Sequence, residues 1–325
     1  MIDVLTIGDI KLDTFITLPR ASIECTLEQQ GCKLCVDYGN KIEVVSTLSQ
    51  IAGSAPNVAV GIAKMKKKTA VLSVMGRDVT HTVAMHWLKA QKVDTSLITS
   101  TPNKQSSFSA VLNFHSESTQ LVVHQPVDIK LPAKLPGTKW LHIGELGRGY
   151  EKLFREIIAL AKSKNIRISF NPGELQIEER KKVFFDLINA SEVLFVNLVE
   201  ARAITNLPTA DVKTVMAKLY TLGADDVVIT YGTDGAYAND GKSLVHAPMF
   251  PGKRVEATGA GDAFASGYLG AILNGKTVHE ALAWGSVNAA GCVSQVGPTA
   301  GLLTHEEITK KLSLKPSYRV RSISA

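Results

Sequence analysis

The sequence is poor in cysteine and aromatic residues and has no long unbroken apolar run. Four cysteines in 325 residues are too few for a disulfide-stapled scaffold. Three of them, Cys25, Cys32 and Cys35, sit close together, and Cys32-Lys33-Leu34-Cys35 forms a C-x-x-C pair. No further Cys or His follows at zinc-ligand spacing, so free thiols in a loop are expected there. No apolar stretch reaches the roughly 18–20 residues of a membrane helix, so no membrane partner is expected. The start, Met1 to Gly8, lacks the basic and apolar regions of a signal peptide and reads as a buried strand, which predicts a cytoplasmic location. Charge is only mildly unbalanced: 36 Lys and Arg against 30 Asp and Glu give +6. The basic residues gather in short clusters, Lys64-Met65-Lys66-Lys67-Lys68, Arg180-Lys181-Lys182 and Arg319 with Arg321. Such clusters read as solvated helix ends rather than a nucleic-acid surface. The turn after the first strand, Gly8-Asp9-Ile10-Lys11-Leu12-Asp13, is not G-x-G-x-x-G, which argues against a dinucleotide oxidoreductase.

What the sequence does contain is alternation. Short apolar runs at Ile2–Gly8, Thr69–Met75, Lys139–Ile143, Ile166–Phe170, Val193–Val196 and Asp226–Tyr231 read as strands buried on both faces. Helical stretches with polar or glycine punctuation at their ends lie between and after them: Ser54 to about Lys66, Thr80–Lys92, Tyr150–Ser163, Glu178–Asn189, Asp211–Gly223, Gly261–Leu273, Thr277–Val293 and Thr304–Leu314. This order predicts a mostly parallel sheet with helices on both faces, a three-layer αβα core. Two segments break the pattern. Residues 12–50 carry strand-like stretches (Thr14–Leu18, Lys41–Leu48), and Ser106–Phe114 with Thr119–His124 reads as a hairpin turning at His115–Ser118. We expect these segments, about 12–50 and 104–125, to form a small β-sheet lid on a single α/β domain spanning residues 1–325.

The stretch Thr258-Gly259-Ala260-Gly261-Asp262-Ala263-Phe264 carries the chemistry. A glycine-rich turn runs into an apolar helix whose first N–H groups lack intrahelical partners and lie at the positive end of the helix dipole. That is an anion hole suited to phosphate. Asp262 beside it is either a helix-start residue or a base for an attacking hydroxyl.

This stretch resembles the C-terminal signature of the ribokinase-like (PfkB) carbohydrate kinases. Ala52-Gly53-Ser54-Ala55-Pro56-Asn57-Val58-Ala59 is similar to the family's N-terminal signature, Asn197-Leu198-Val199-Glu200 to its Asn-x-x-Glu motif, and Val228 to Gly235 to its nucleotide-side strand and turn. Gly8 to Asp13 matches the exit of its first strand. All five pieces occur in family order. The resemblance implies the three-layer Rossmann-like fold with a β-sheet lid and a kinase that moves the γ-phosphoryl group of ATP, with Mg²⁺, to a primary hydroxyl of a sugar such as ribose or fructose. A nucleoside is the alternative acceptor, and a non-catalytic sugar- or nucleotide-binding protein a third reading. Asp262 would be the base, and Gly259, Ala260 and Gly261 would hold the phosphoryl group through main-chain N–H. Asp13, Gly53, Asn57 and Glu145 would bind the acceptor. Asn197, Glu200, Thr230, Gly232 and Gly235 would serve ATP, with Asn288 approaching the adenine. Glu200 would hold Mg²⁺ through water. Glu256 and Thr258 would flank a monovalent cation such as K⁺, although the family's usual residue is Asp where Glu256 stands and often Thr where Ala257 stands. Ala52 replaces the first Gly of the usual Gly-Gly turn, and the Cys25–Cys35 insertion has no counterpart in the pattern. A homodimer through the lid is implied. Lys11 reads as solvated, His142 as packed inside, and Phe15, Phe108 and Phe114 as lid-core residues.

Overall fold

A computed structural model describes residues 1–25, 32–115, 117–125, 128–239 and 243–323. The chain opens with β1 (Ile2–Ile7) and turns at once into β2 (Lys11–Thr17). A hairpin of β3 (Ser22–Cys25) and β4 (Cys32–Cys35) follows, then β5 (Ser46–Ala52), α1 (Ser54–Lys64), β6 (Thr69–Gly76), α2 (Val79–Ala90) and β7 (Ile98–Thr101). Next come β8 (Ser107–Phe114), β9 (Glu117–Val123), β10 (Thr138–Ile143), α3 (Glu151–Lys164), β11 (Arg167–Phe170), α4 (Glu174–Glu179) and α5 (Lys182–Asn189). The second half runs β12 (Val193–Asn197), α6 (Leu198–Thr205), α7 (Val212–Thr221), β13 (Asp226–Thr230), β14 (Ala236–Asn239) and β15 (Leu244–Ala247). It ends with α8 (Ala260–Ile272), α9 (Val278–Cys292), α10 (His305–Ser313) and β16 (Arg321–Ile323).

Among the described residues the large sheet has the order β16-β15-β14-β13-β12-β11-β10-β1-β6-β7. The strands from β13 to β7 are parallel and those from β14 to β16 antiparallel. The apolar runs are buried on both faces because helices cover both. Leu141, Phe170 and Leu194 meet Phe154 and Phe184 on one side, while Val4, Trp140 and Val228 meet Phe264, Tyr268 and Leu269 on the other. Each fully buried side chain of this size contributes roughly 1.5–3 kcal/mol relative to exposure. This is the expected ribokinase-like αβα core. Among the described residues no helix is long and apolar enough to cross a membrane.

The lid is a four-stranded sheet of order β5-β2-β8-β9. It grows from the core without a linker, because β2 leaves β1 after three residues and β5 runs through Gly53 into α1. Alternation along β2 turns Lys11, Asp13 and Phe15 inward and Leu12, Thr14 and Ile16 outward. Helices α1 and α8 pack closely against each other. A Cβ on Gly61 would lie 2.3 Å from the Ser266 Oγ. This close approach puts the N-termini of both helices side by side at the same edge of the sheet.

Several local expectations give way. Glu178–Asn189 is two helices, because Arg180 adopts a left-handed φ of 46° between them. The strand expected at Lys41–Leu48 begins only at Ser46, where pairing with β2 starts. Helix α6, which supplies Glu200, was hidden by its shortness, and the antiparallel edge strands by their weak apolar signal. The free thiols expected at Cys25 and Cys32 are instead a disulfide. Strands β3 and β4 bring these two residues directly opposite each other, with Cα atoms 4.2 Å apart. Cys35 is the free thiol of the three. Part of this insertion, residues 26–31, and Ser116 of the expected His115–Ser118 turn lie outside the described residues.

Candidate active site

The C-terminal ends of the parallel strands open onto a continuous cleft, the usual ligand position in open α/β sheets. Its centre is the turn before α8. Gly259 caps this helix with φ 79°, and a Cβ there would meet Pro298 at 2.3 Å. The turn is therefore closed to other residues. The Ala260 amide bonds back to the Ala257 carbonyl at 3.2 Å, whereas Gly261 and Asp262 make no main-chain bond through N–H among the described residues. Of the three residues expected to hold phosphate, Gly259 and Gly261 thus keep amides without a main-chain partner among the described residues, and Ala260 does not. Gly261 also faces open space, since a Cβ there would meet nothing within 4 Å.

Asp262 is half-buried at the start of α8 and fixed from α1. Ser54 Oγ donates to its Oδ1 at 2.7 Å and Asn57 Nδ2 to its Oδ2 at 2.8 Å. Burial raises its proton affinity, and these two hydrogen bonds and Lys11 oppose the rise, leaving the carboxyl above its ordinary range. Each oxygen keeps a lone pair for an incoming hydroxyl. Asn57, expected to touch the acceptor, also holds the Asp262 carboxylate through its side-chain amide.

On one side of Asp262 lies a cavity of about 270 Å³ lined by Asp13, Gly53, Asn57 and Glu145 together with Lys11 and Gln120. All four expected acceptor residues are therefore brought together. Lys11 is not solvated but 5% exposed, because β2 turns it under the lid, where its Nζ donates to Glu145 Oε2 at 3.1 Å. Burial pushes Asp13 up to about 6, with Lys11 opposing, and its buried Oδ1 has no hydrogen-bond partner among the described residues. For Glu145 burial works upward too, but His124 and Lys11 outweigh it and hold the carboxyl down at about 2. His142 packs inside, as expected. It bonds to Ser169, and burial alone lowers it to about 3.

Beyond the turn, a second cavity of about 440 Å³ is lined by Asn197, Glu200, Thr230, Thr258, Gly261 and Asp262, among others. Asn197 and Glu200 form a reciprocal cap on α6, each side chain bonding the other's amide at 2.9 Å. Burial raises Glu200 to about 7, and the nearby charges of Glu145, Asp262 and Glu174 push the same way. Such a carboxylate favours a cation. The side-chain oxygens that line the cavity with it suit a hard, partly hydrated ion such as Mg²⁺. Among the described residues there is no cluster of three or more His, Cys, Asp or Glu that could hold a metal.

The third compartment continues past Gly261 between the β13–β14 turn and α9. Thr230, Gly232 and Gly235 line it with Phe250, Ala290 and Val293. Its walls are mostly apolar, with Lys253 and Arg254 at hand, and suit a base and ribose. Asn288 does not face it. The side chain is fully buried, bonding Ala263, Ser266 and the Leu303 amide, because its position on α9 points at α8; Ser286, Ala289 and Ala290 face the cavity instead. Glu256 is likewise turned inward. Its oxygens accept from the amides of Thr258 at 2.6 Å and Gly297 at 3.3 Å, so it braces the turn. Thr258 Oγ1 meets Ser118 of the lid at 3.3 Å. The residues missed by sequence reasoning are His124, Gln120 and Ser54. Only Ser54 lay within a recognisable motif.

Comparison with known proteins shows the family and the fold. A protein-family model described as pfkB family carbohydrate kinase matches residues 18–305. The chain is 26% identical over 312 residues to a 5-dehydro-2-deoxygluconokinase of Clostridium tetani, covering 86% of this chain and 89% of that protein. It is 27% identical over 256 residues to a cytidine kinase of Thermococcus kodakarensis, covering 75% and 88%. The structure of Arabidopsis thaliana ribokinase complexed with ribose and ATP superposes with a TM-score of 0.76 at 17% identity, covering 96% of this chain and 99% of that one. Since the family match spans most of its length, this protein belongs to the pfkB family of carbohydrate kinases and is a phosphotransferase acting on a sugar hydroxyl.

Proposed function

We propose that the protein transfers the γ-phosphoryl group of ATP to a primary hydroxyl of a neutral sugar such as ribose or fructose, with Asp262 as general base. The observation that carries this is the position of the Asp262 carboxylate. It is held by Ser54 and Asn57 at the common wall of the acceptor and phosphate cavities. An acceptor resting against Asp13 and Glu145 presents its hydroxyl to Asp262. The proton moves to the carboxylate, the oxygen bonds to the γ-phosphorus, and the bond to the ADP oxygen breaks. The Gly261 amide, at the positive end of α8, takes up charge on the transferring group. Asn197 and Glu200 would hold Mg²⁺ through water, which would neutralise phosphate charge. Thr230, Gly232 and Gly235 would lie along the ATP. A monovalent cation near Thr258 would rest on main-chain carbonyls with Glu256 as their strut; equal turnover in K⁺ and Na⁺ would remove it.

Charge favours a neutral acceptor. Asp13, Glu145, Glu174, Glu200 and Asp262 line the acceptor cavity, and Lys11, its one lysine among the described residues, is bonded to Glu145. A sugar phosphate or sugar acid would meet net repulsion. The nucleoside alternative lacks an aromatic wall. Phe15 is buried, and Phe108 and Phe114 alternate onto the lid face opposite Asp13. On that outer face Phe108, Leu121 and Val123 are exposed, which supports a second copy docking there. A monomer in sedimentation would reject it. The test of function is ADP release over sugars, sugar phosphates, sugar acids and nucleosides, run on the unmutated protein and on Asp262→Asn. Neutral sugars are expected to turn over, and the variant is expected to lose about 10²-fold or more in kcat with ATP affinity retained. Undiminished turnover would reject Asp262 as the base.

A further inference from the structure

We propose that His124 is a positioning residue of the acceptor site, a clasp between Asp9 and Glu145 that pins the end of the lid sheet to the core and fixes the Glu145 carboxylate against the acceptor. This rests on the reading that the acceptor occupies the Asp13–Glu145 cavity.

Three parts of the chain meet at this histidine. It stands just after the lid strand β9, whereas Asp9 follows β1 and Glu145 follows β10, both at the edge of the core. His124 Nδ1 lies 2.9 Å from Asp9 Oδ2, and its Nε2 lies 3.3 Å from Glu145 Oε1. Both ring nitrogens face carboxylates, so each is a donor and the ring carries a positive charge. The two hydrogen bonds, to Asp9 first and Glu145 second, outweigh burial and raise the imidazole to about 9. The charged groups facing the ring are thus Asp9 from the β1–β2 turn and Glu145 from the strand end, with Lys11 on the far oxygen of Glu145.

The clasp has no substitute. Asp9 is 2% exposed. Its Oδ2 also accepts from Ser107 Oγ at 2.9 Å, and its Oδ1 has no partner among the described residues. Without the imidazolium, a buried carboxylate would be left with one hydroxyl, which is costly. Glu145 would keep only Lys11 and could rotate. Because Ser107 Oγ in turn accepts the Gln125 amide at 3.1 Å, the same cluster ties β8 to the chain leaving β9. His124 touches no reacting atom, so its effect runs through Glu145 and the seating of the lid.

The test compares His124→Gln, which cannot be charged, with His124→Arg, which keeps a charge able to bridge both carboxylates. Ribose and fructose serve as acceptors. His124→Gln is expected to raise acceptor KM by about tenfold, the scale of one lost charge-assisted hydrogen bond, with ATP KM unchanged. His124→Arg is expected to recover most of that loss. In the unmutated protein, acceptor kcat/KM should fall as pH rises through about 9, and the arginine variant should lack that fall. NMR titration of the ligand-free protein covers the case where His124→Gln does not fold: His124 should remain protonated until about pH 9. An ordinary histidine titration, an unchanged acceptor KM in His124→Gln, or equal changes in both KM values would overturn the proposal. If Asp262→Asn is inactive while His124→Gln behaves normally, only the clasp falls. If Asp262→Asn is active, the acceptor site itself is misassigned.

Discussion

The two halves of the cleft are built on opposite principles. The acceptor half is assembled from ionised side chains, Lys11, Asp13, Glu145 and His124, that are partly or wholly buried. The nucleotide half is assembled from backbone and small apolar residues, Gly232, Gly235, Ala289, Ala290 and Val293. Buried charges are expensive and specific, because each must find a partner of defined geometry. Apolar walls and main-chain donors are cheap and permissive. A kinase that always meets the same nucleotide can rely on shape, whereas choosing one polyol among many needs placed charges.

This contrast can be broken at defined points. After the Asp262→Asn loss, the next largest effect is expected from Gly261→Val, which fills the phosphate cradle. Turnover should fall on the order of 10²-fold, as when an oxyanion donor is obstructed, without loss of thermal stability, since the added Cβ meets no protein atom. A lower Tm with normal kcat would show that the cradle is not where phosphate sits.

Asp13→Asn should act on the acceptor half alone, raising acceptor KM by about tenfold and sparing ATP KM. It should also stabilise the ligand-free protein. The folded carboxyl is raised to about 6 from an ordinary 3.8, so the folded state holds the proton more tightly. Stability is then greatest below the ordinary value and declines as pH rises through about 6. The asparagine variant should escape that decline, melting higher than the parent at pH 8 but not at pH 3.5. A parent protein without the decline would mean that Asp13 is solvated. The smallest effect is expected where the lid tip touches the nucleotide half, at the exposed Glu117–Arg254 pair of 2.8 Å. Arg254→Ala should change stability by less than about 1 kcal/mol, read by urea unfolding.

The sequence made the nucleotide half more legible than the acceptor half. Glycine turns and strand ends are local, so Gly232, Gly235, Gly259 and Gly261 could be located from neighbours in the chain. The αβα core was legible for the same reason, since apolar periodicity is local. Lys11 and His124 were not. Each is a lone polar residue in a short strand or just beyond it, and its meaning depends on partners 134 positions (Lys11 to Glu145) and 115 positions (His124 to Asp9) away. Asn288 failed in the opposite direction: a polar residue near a ligand site on a helix looked functional, but its side chain fastens three segments of the interior. The cysteines misled because pairing across a hairpin depends on register, which spacing alone does not fix.

The tight seam between α1 and α8, where Gly61 leaves no room for a side chain, has a consequence for inheritance and engineering. The Asp262 carboxylate, both of its anchors and the Gly261 amide all belong to that welded pair, whereas Lys11 and Gln120 arrive on the lid. Replacing the lid would therefore change which alcohol is admitted and leave the transfer apparatus undisturbed. A chain divided in this way can drift from one sugar to another by altering its cover while its engine stays fixed.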